Sequence, residues 1–311
     1  MKRSRSLTDK DWEDKGMIST DGRFVGTIKC GDKELVFGKK TFVMGILNVT
    51  PDSFSDGGMY DTPEKALEHA KEMVEQGADI IDVGGESTRP GYTPVSTDEE
   101  KERVIPAIEA IRRELDVIIS VDTTKSDVAK AAVEAGANII NDVSGLKADP
   151  KMAKTAAESG AAVVLMYNRR FIEKKDTDFR ADDLTEGINY VKESIQLAKD
   201  SGITDDRIIT DPGIGFGTSR LQDLALTSGI MQFGMGGKYP VLYGGSRKRV
   251  VRMFLSEGVD GKYIDNVSIG LACTAVTSGA SIVRVHDVKN TRQQLDGCDM
   301  TVYAYNIFAG Q

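Results

Sequence analysis

A chain of 311 residues, 40% hydrophobic and 28% charged, is long enough for one large domain or two ordinary ones and has neither a disordered nor a collagen-like composition. Its net charge of -8 argues against a nucleic-acid partner, and no stretch approaches the apolar length of a membrane span. Two histidines (His69, His286) and three cysteines (Cys30, Cys273, Cys298) without close pairing or metal-ligand spacing nearly exclude a zinc centre and fit reduced thiols in a cytoplasmic protein.

Residues 1–20 read as a polar lead-in and residues 21–311 as a single domain. The segment 27–37 predicts a β-hairpin turning at Gly31-Asp32. Strands are then expected over 42–47, 79–83, 117–121, 138–140, 162–166, 207–210, 240–243 and 281–285. Between them the helical patterns include 63–76, 97–114, 126–135, 150–159, 184–201 and 265–278, with start signals at Thr62 before Pro63, at Thr97, and at Asp149 before Pro150. A Gly-Ala pair recurs before the runs at Gly77, Gly136, Gly160 and Gly279, as expected where a left-handed glycine ends a helix and the chain re-enters a crowded sheet. Strict alternation of strand and helix predicts parallel βαβ units. A (β/α)8 TIM barrel with a short N-terminal β-hairpin cap is favoured over an open doubly wound sheet, because no GxGxxG follows the first strand.

In such a barrel the reacting groups stand at the C-terminal strand ends. Here nearly every apolar run ends in a polar group: Asn48, Asp82 with Glu86, Asp122, Asn141 with Asp142, Asn168, Asp211, Ser246-Arg247-Lys248, and Arg284 with His286. Any one alone is an ordinary cap or turn former. Together they describe a site, since Ile209 and Asp211 share a strand face, as do Arg284 and His286. Glycine-rich loops at 57–58, 84–85, 211–217 and 244–245 accompany them, able to bring backbone N–H groups close to an anionic ligand. His69, between Glu68 and Lys71 in a helical pattern, reads as a solvated surface residue.

The blocks Met44-Gly45-Ile46-Leu47-Asn48-Val49-Thr50-Pro51-Asp52-Ser53-Phe54, Asp82-Val83-Gly84-Gly85-Glu86-Ser87-Thr88-Arg89-Pro90-Gly91, Ser120 to Thr123, Ile140 to Gly145, Asp211 to Gly217, Ser246-Arg247-Lys248 and Arg284 to Asp287 occur in one order along the chain. In that order the chain resembles the dihydropteroate synthase family. The resemblance implies a barrel that joins 6-hydroxymethyl-7,8-dihydropterin diphosphate to p-aminobenzoate, with Mg2+ assisting the leaving diphosphate and a homodimer built from late helices. It further implies that Asp122, Asn141, Met166, Asp211, Phe216 and Lys248 hold the pterin. Asn48, Arg284 and His286 would surround the diphosphate, Asn48 beside the metal, and Phe54, Thr88, Arg89, Pro90 and Ser246 would receive p-aminobenzoate. Asp122, Lys248 and Arg284 would carry the catalytic roles.

Three departures accompany the match: Tyr167 stands where the family commonly has His, Thr218 where it often has Lys, and Gly244-Gly245 leaves the loop before Ser246 bare. Two other readings share the pterin-holding residues, a non-catalytic pterin-binding homologue and a pterin-dependent methyltransferase domain. The second would not be expected to carry the loop 48–58 or Ser246-Arg247-Lys248.

Overall fold

The structure, a computed structural model, describes residues 22–50, 62–86, 94–172, 184–253, 255 and 260–303. Phe54, Thr88, Arg89 and Pro90, expected around p-aminobenzoate, lie outside the described residues.

The hairpin forms where expected, with β1 (Gly26–Cys30) antiparallel to β2 (Lys33–Phe37). Eight parallel strands follow: β3 (Phe42–Asn48), β4 (Ile80–Gly84), β5 (Ile118–Asp122), β6 (Ile139–Asp142), β7 (Ala162–Met166), β8 (Ile208–Asp211), β9 (Leu242–Tyr243) and β10 (Ile282–Val285). Their order, β8-β7-β6-β5-β4-β3-β10-β9, leaves β8 and β9 at the seam. A bridge between Thr210 and Val241 joins them, with the Thr210 N–H donating to the Pro240 carbonyl at 3.0 Å. The sheet therefore closes, and the open-sheet alternative falls away.

Around it lie α1 (Pro63–Glu75), α2 (Thr97–Glu114), α3 (Ser126–Glu134), α4 (Met152–Ser159), α5 (Thr185–Asp200), α6 (Arg220–Ser228), α7 (Gly261–Thr277) and α8 (Val288–Val302). The four recurring glycines, Gly77, Gly136, Gly160 and Gly279, all have positive φ, as their place after helices requires.

Several expected details are corrected. The cap of α2 is Ser96, whose hydroxyl accepts from the Glu99 N–H at 3.1 Å, so Thr97 is already helical. Helix α4 starts two residues after Pro150, because the Asp149 carboxylate is engaged by the backbone N–H groups of Ser126 and Lys151, each at 2.9 Å. Helix α7 begins at Gly261 behind Asp260, earlier than residue 265. His69 is half-buried and lies 3.5 Å from Glu72. Cys273 on α7 and Cys298 on α8 are free cysteines near each other, and burial pushes the Cys273 thiol up to about 12.

Two apolar masses build the domain. The larger joins the outward strand faces to the helices, through residues such as Val43, Ile81, Ile119, Ile108 and Val283. The smaller fills the lower barrel interior with Met44, Ile80, Ile118, Ile139, Val164, Ile209, Leu242 and Ile282, and it continues into Ile28, Cys30, Leu35 and Phe37 of the hairpin. The hairpin thus plugs the N-terminal mouth, and the Gly31 N–H donates to the Gly160 carbonyl at 3.2 Å, just below β7. The opposite mouth is left for polar groups.

Candidate active site

Side chains alternate faces along a strand, so the residue two places above each interior apolar one also points inward. Above Ile80 comes Asp82, above Ile118 come Ser120 and Asp122, above Ile139 comes Asn141, above Ile209 comes Asp211, and above Ile282 comes Arg284. Cross-strand register aligns them: Asp82 pairs with Ser120, Gly84 with Asp122, Asp122 with Asn141, and Met166 with Asp211. The barrel interior therefore changes from apolar to polar on ascending toward the C-terminal strand ends.

One network links these ends. The Arg284 Nε donates to Asp82 Oδ2 at 2.6 Å and one terminal nitrogen donates to Asp122 Oδ2 at 2.8 Å. The Asn141 amide donates to the two Asp82 oxygens at 3.3 and 3.5 Å. Burial opposes the Arg284 charge, but Asp82 and Asp122 outweigh it and hold its pKa above the usual value. Burial pushes Asp122 up to about 7, against the pull of Arg284. Without that guanidinium two neighbouring carboxylates would face each other in a desolvated space.

Asp211 stands across the mouth, pushed up by burial to about 6 although the Gly213 N–H donates to it at 2.7 Å. Gly213 has no substitute there: its φ is +71°, and a Cβ would lie 1.7 Å from the Tyr167 carbonyl oxygen. Lys248 places its ammonium 3.8 Å from the centre of the Phe216 ring. Burial and the nearby Arg284 lower its pKa to about 8. Met166, Phe216 and Val143 form a separate small apolar cluster at this level.

Asp122, Asn141, Met166, Asp211, Phe216, Lys248 and Arg284 line a single narrow cleft. It adjoins, at Asp122, Val143 and Phe216, a wider recess of about 360 Å³ bordered by Thr123, Lys125 and Arg170. Asn48 ends β3 one strand away, in register with Gly84, which in turn faces Asp122. A Cβ on Gly84 would lie 3.7 Å from Asn48 Oδ1 and 3.6 Å from Asp122 Cβ, so glycine keeps open the space between them. Ser246 and His286, read separately from sequence, form a pair: Ser246 Oγ lies 3.0 Å from His286 Nδ1 and accepts from the His286 N–H at 3.3 Å.

Asp82, one of the polar strand ends in the sequence but without a role of its own there, anchors both Arg284 and Asn141 and is completely buried. Its signal was the two-residue step from Ile80 on the inward face. Val143 and Ile214 also line the cleft without having been named; apolar walls leave no chemical mark in a sequence. Other polar strand ends hold loops: Asp142 accepts from the Ser144 and Leu146 N–H groups, and the Asn168 amide donates to the Val143 carbonyl at 2.9 Å.

The departures now have physical readings. Tyr167 belongs to the outer core, and its hydroxyl donates to Glu186, which also accepts from Arg169 Nε at 2.9 Å. Met166, one residue earlier, keeps the inward place. Thr218 is buried and donates to Asp223 at 2.6 Å, bracing the loop after β8.

Residues 44–286 match the family model described as pterin binding enzyme. The chain is 50% identical over 260 residues to a dihydropteroate synthase of Bacillus subtilis, covering 82% of this chain and 86% of that one. It is similar to a solved dihydropteroate synthase of Clostridium difficile in the presence of pteroic acid, with TM-score 0.77, 42% identity and coverage of 85% and 98%. A Xanthomonas albilineans dihydropteroate synthase with 4-aminobenzoic acid gives TM-score 0.80 at 38% identity, covering 89% and 98%.

Proposed function

The chain belongs to the pterin-binding enzyme family and catalyses the dihydropteroate synthase reaction, and on that premise we propose how its cleft performs it. The reaction forms a bond between the p-aminobenzoate nitrogen and the pterin methylene, breaks the methylene C–O bond, and releases diphosphate and the amine proton. Asp122, Asn141, Asp211 and Lys248 grip the edge of the pterin, and Met166 and Phe216 pack on its faces. The observation that carries this is their convergence in one cleft from different strands and loops. A carboxylate such as Asp211 satisfies the amino and ring N–H donors of a flat heterocycle that would otherwise be stranded in a dry pocket.

Positive charge develops on the methylene as the C–O bond breaks, and ionised Asp122 stabilises it from a fixed position. Arg284, held by Asp82 and Asp122, offers its remaining terminal nitrogen to the diphosphate, with His286 beside it. Phe54, Thr88, Arg89 and Pro90, together with Ser246, receive p-aminobenzoate.

The residues fit Mg2+ as the metal. Asn48 provides one hard oxygen beside the gap that Gly84 leaves, and among the described residues no group of three or more His, Cys, Asp or Glu could hold an ion by itself, so diphosphate oxygens and water would complete the shell. When bound, the ion neutralises charge on the leaving group. The protein acts in the cytoplasm as a homodimer; support for the dimer comes from Tyr263 and Met300, exposed on α7 and α8.

The test is diphosphate release from the pterin diphosphate by purified protein with Mg2+, with and without p-aminobenzoate. Release that requires the amine supports the reading, and binding without release would favour the non-catalytic homologue. Asp122→Ala is expected to lower turnover a hundredfold or more, about 2.7 kcal/mol in barrier.

A further inference from the structure

Ser246 pairs with His286 and the Lys248 ammonium meets the Phe216 ring, and between the two stands Arg247. Arg247 has φ +57°, the left-handed region that a residue with a Cβ rarely occupies unless its surroundings impose it. Contacts from α7 hold it there. The Arg247 N–H donates to Ser268 Oγ at 3.0 Å. Its Nε and one terminal nitrogen form a fork on the two oxygens of Asp265, at 2.7 and 3.0 Å. Ser268 is itself held, donating to the Ile264 carbonyl at 2.8 Å.

The preceding pair, Gly244-Gly245, brings no side chain that could hold this turn. The turn matters because its two flanks separate: Ser246 Oγ goes to His286, 3.0 Å away, while the Lys248 ammonium reaches the Phe216 ring, 3.8 Å from its centre. A relaxed φ at 247 would rotate one flank against the other.

We propose that Arg247 is a positioning residue for the reaction, its fork on Asp265 locking a left-handed turn that delivers Ser246 and Lys248 to opposite parts of the site. The inference rests on the reading that Lys248 acts in the cleft. Arg is needed for it, because only a planar guanidinium meets both carboxylate oxygens at once.

Steady-state kinetics on Arg247→Ala, Arg247→Gly, Asp265→Ala and the Arg247→Ala/Asp265→Ala double variant tests this, with thermal unfolding confirming that each is folded. If a variant is not folded, Arg247→Lys and Asp265→Asn replace it, with the same losses expected. Arg247→Ala and Asp265→Ala are each expected to lower kcat/KM tenfold or more, chiefly by raising KM for the pterin diphosphate. The double variant should be within twofold of the worse single one, because both remove the same fork. Arg247→Gly should recover at least threefold over Arg247→Ala, since glycine takes the left-handed turn without help.

Losses that multiply in the double variant, an Asp265→Ala enzyme of wild-type efficiency, or an Arg247→Gly enzyme no better than Arg247→Ala would each overturn the proposal. Lys248→Ala is measured alongside. Wild-type rates there would strike at the reading of the cleft itself, whereas a collapse there with normal Arg247 and Asp265 variants would strike only at the positioning role.

Discussion

In the proposed mechanism Asp122 and Lys248 hold the charges on which the chemistry depends, and both are shifted toward neutrality by burial. Asp122 is pushed up to about 7 and Lys248 down to about 8. The signs set a narrow window. Below pH 7 Asp122 takes up a proton and loses the anion that stabilises the methylene, and above pH 8 Lys248 loses its positive charge. The profile of kcat/KM against pH is therefore expected to rise to about 7 and fall beyond about 8. Lys248→Arg should lose the alkaline limb, at a lower maximum rate, because guanidinium stays charged throughout. A flat profile from pH 6 to 9 in the wild-type enzyme would contradict the assignment of both groups. The shifts come chiefly from burial, which Arg284 opposes at Asp122 and reinforces at Lys248, so they could not be read from residue types alone.

At the scale of elements, the loop after β8 controls where Asp211, the carboxylate proposed to hold the pterin, stands. Asp211 accepts from the Gly213 N–H at 2.7 Å, and the Tyr167 N–H donates to the Asp211 carbonyl at 2.9 Å. The ends of β7 and β8 are thereby tied to one turn. Gly213→Ala would drive a methyl group into the Tyr167 carbonyl at 1.7 Å and strain a left-handed backbone. Loss of 2 kcal/mol or more in stability, by about the scale of such backbone effects, is expected in denaturant titration, together with weaker binding of a pterin analogue in calorimetry. An alanine variant with unchanged midpoint and affinity would remove the loop from this role. The glycines of this loop were visible in the sequence as a cluster, but the carbonyl that excludes a side chain comes from another strand.

For the molecule as a whole, stability and chemistry occupy opposite ends of one barrel. The hairpin residues Ile28, Leu35 and Phe37 pack under the strands, with Phe37 edge-on to Phe42 at 4.9 Å between ring centres. Phe37→Ala should cost about 3 to 4 kcal/mol as a cavity in the lower core. It should leave affinity for a pterin analogue within about twofold, since the cleft stands at the other mouth. Unfolding titrations and calorimetry on the same variant test both halves, and a large loss of affinity with little loss of stability would contradict the separation. The net charge of -8 belongs to this scale too: it argues against a nucleic-acid partner, while Arg284 and Lys248 supply local positive charge inside the mouth.

The amino-acid order by itself determined the alternation of strands and helices, the hairpin, and which strand ends carry polar groups, because period-two burial, helix-ending glycines and turn residues are local properties. It also carried the motif blocks that place Asp122, Asn141, Asp211 and Lys248 in one family pattern. Only the tertiary structure decided that β8 meets β9 to close the barrel, that Asp82 is the buried anchor of Arg284, and that Ser246 pairs with His286. The reason is physical: closure, buried ion pairs and the depth of a carboxylate depend on atoms as remote in the chain as Asp82 and Arg284, 202 residues apart, and no local pattern encodes which of them will meet.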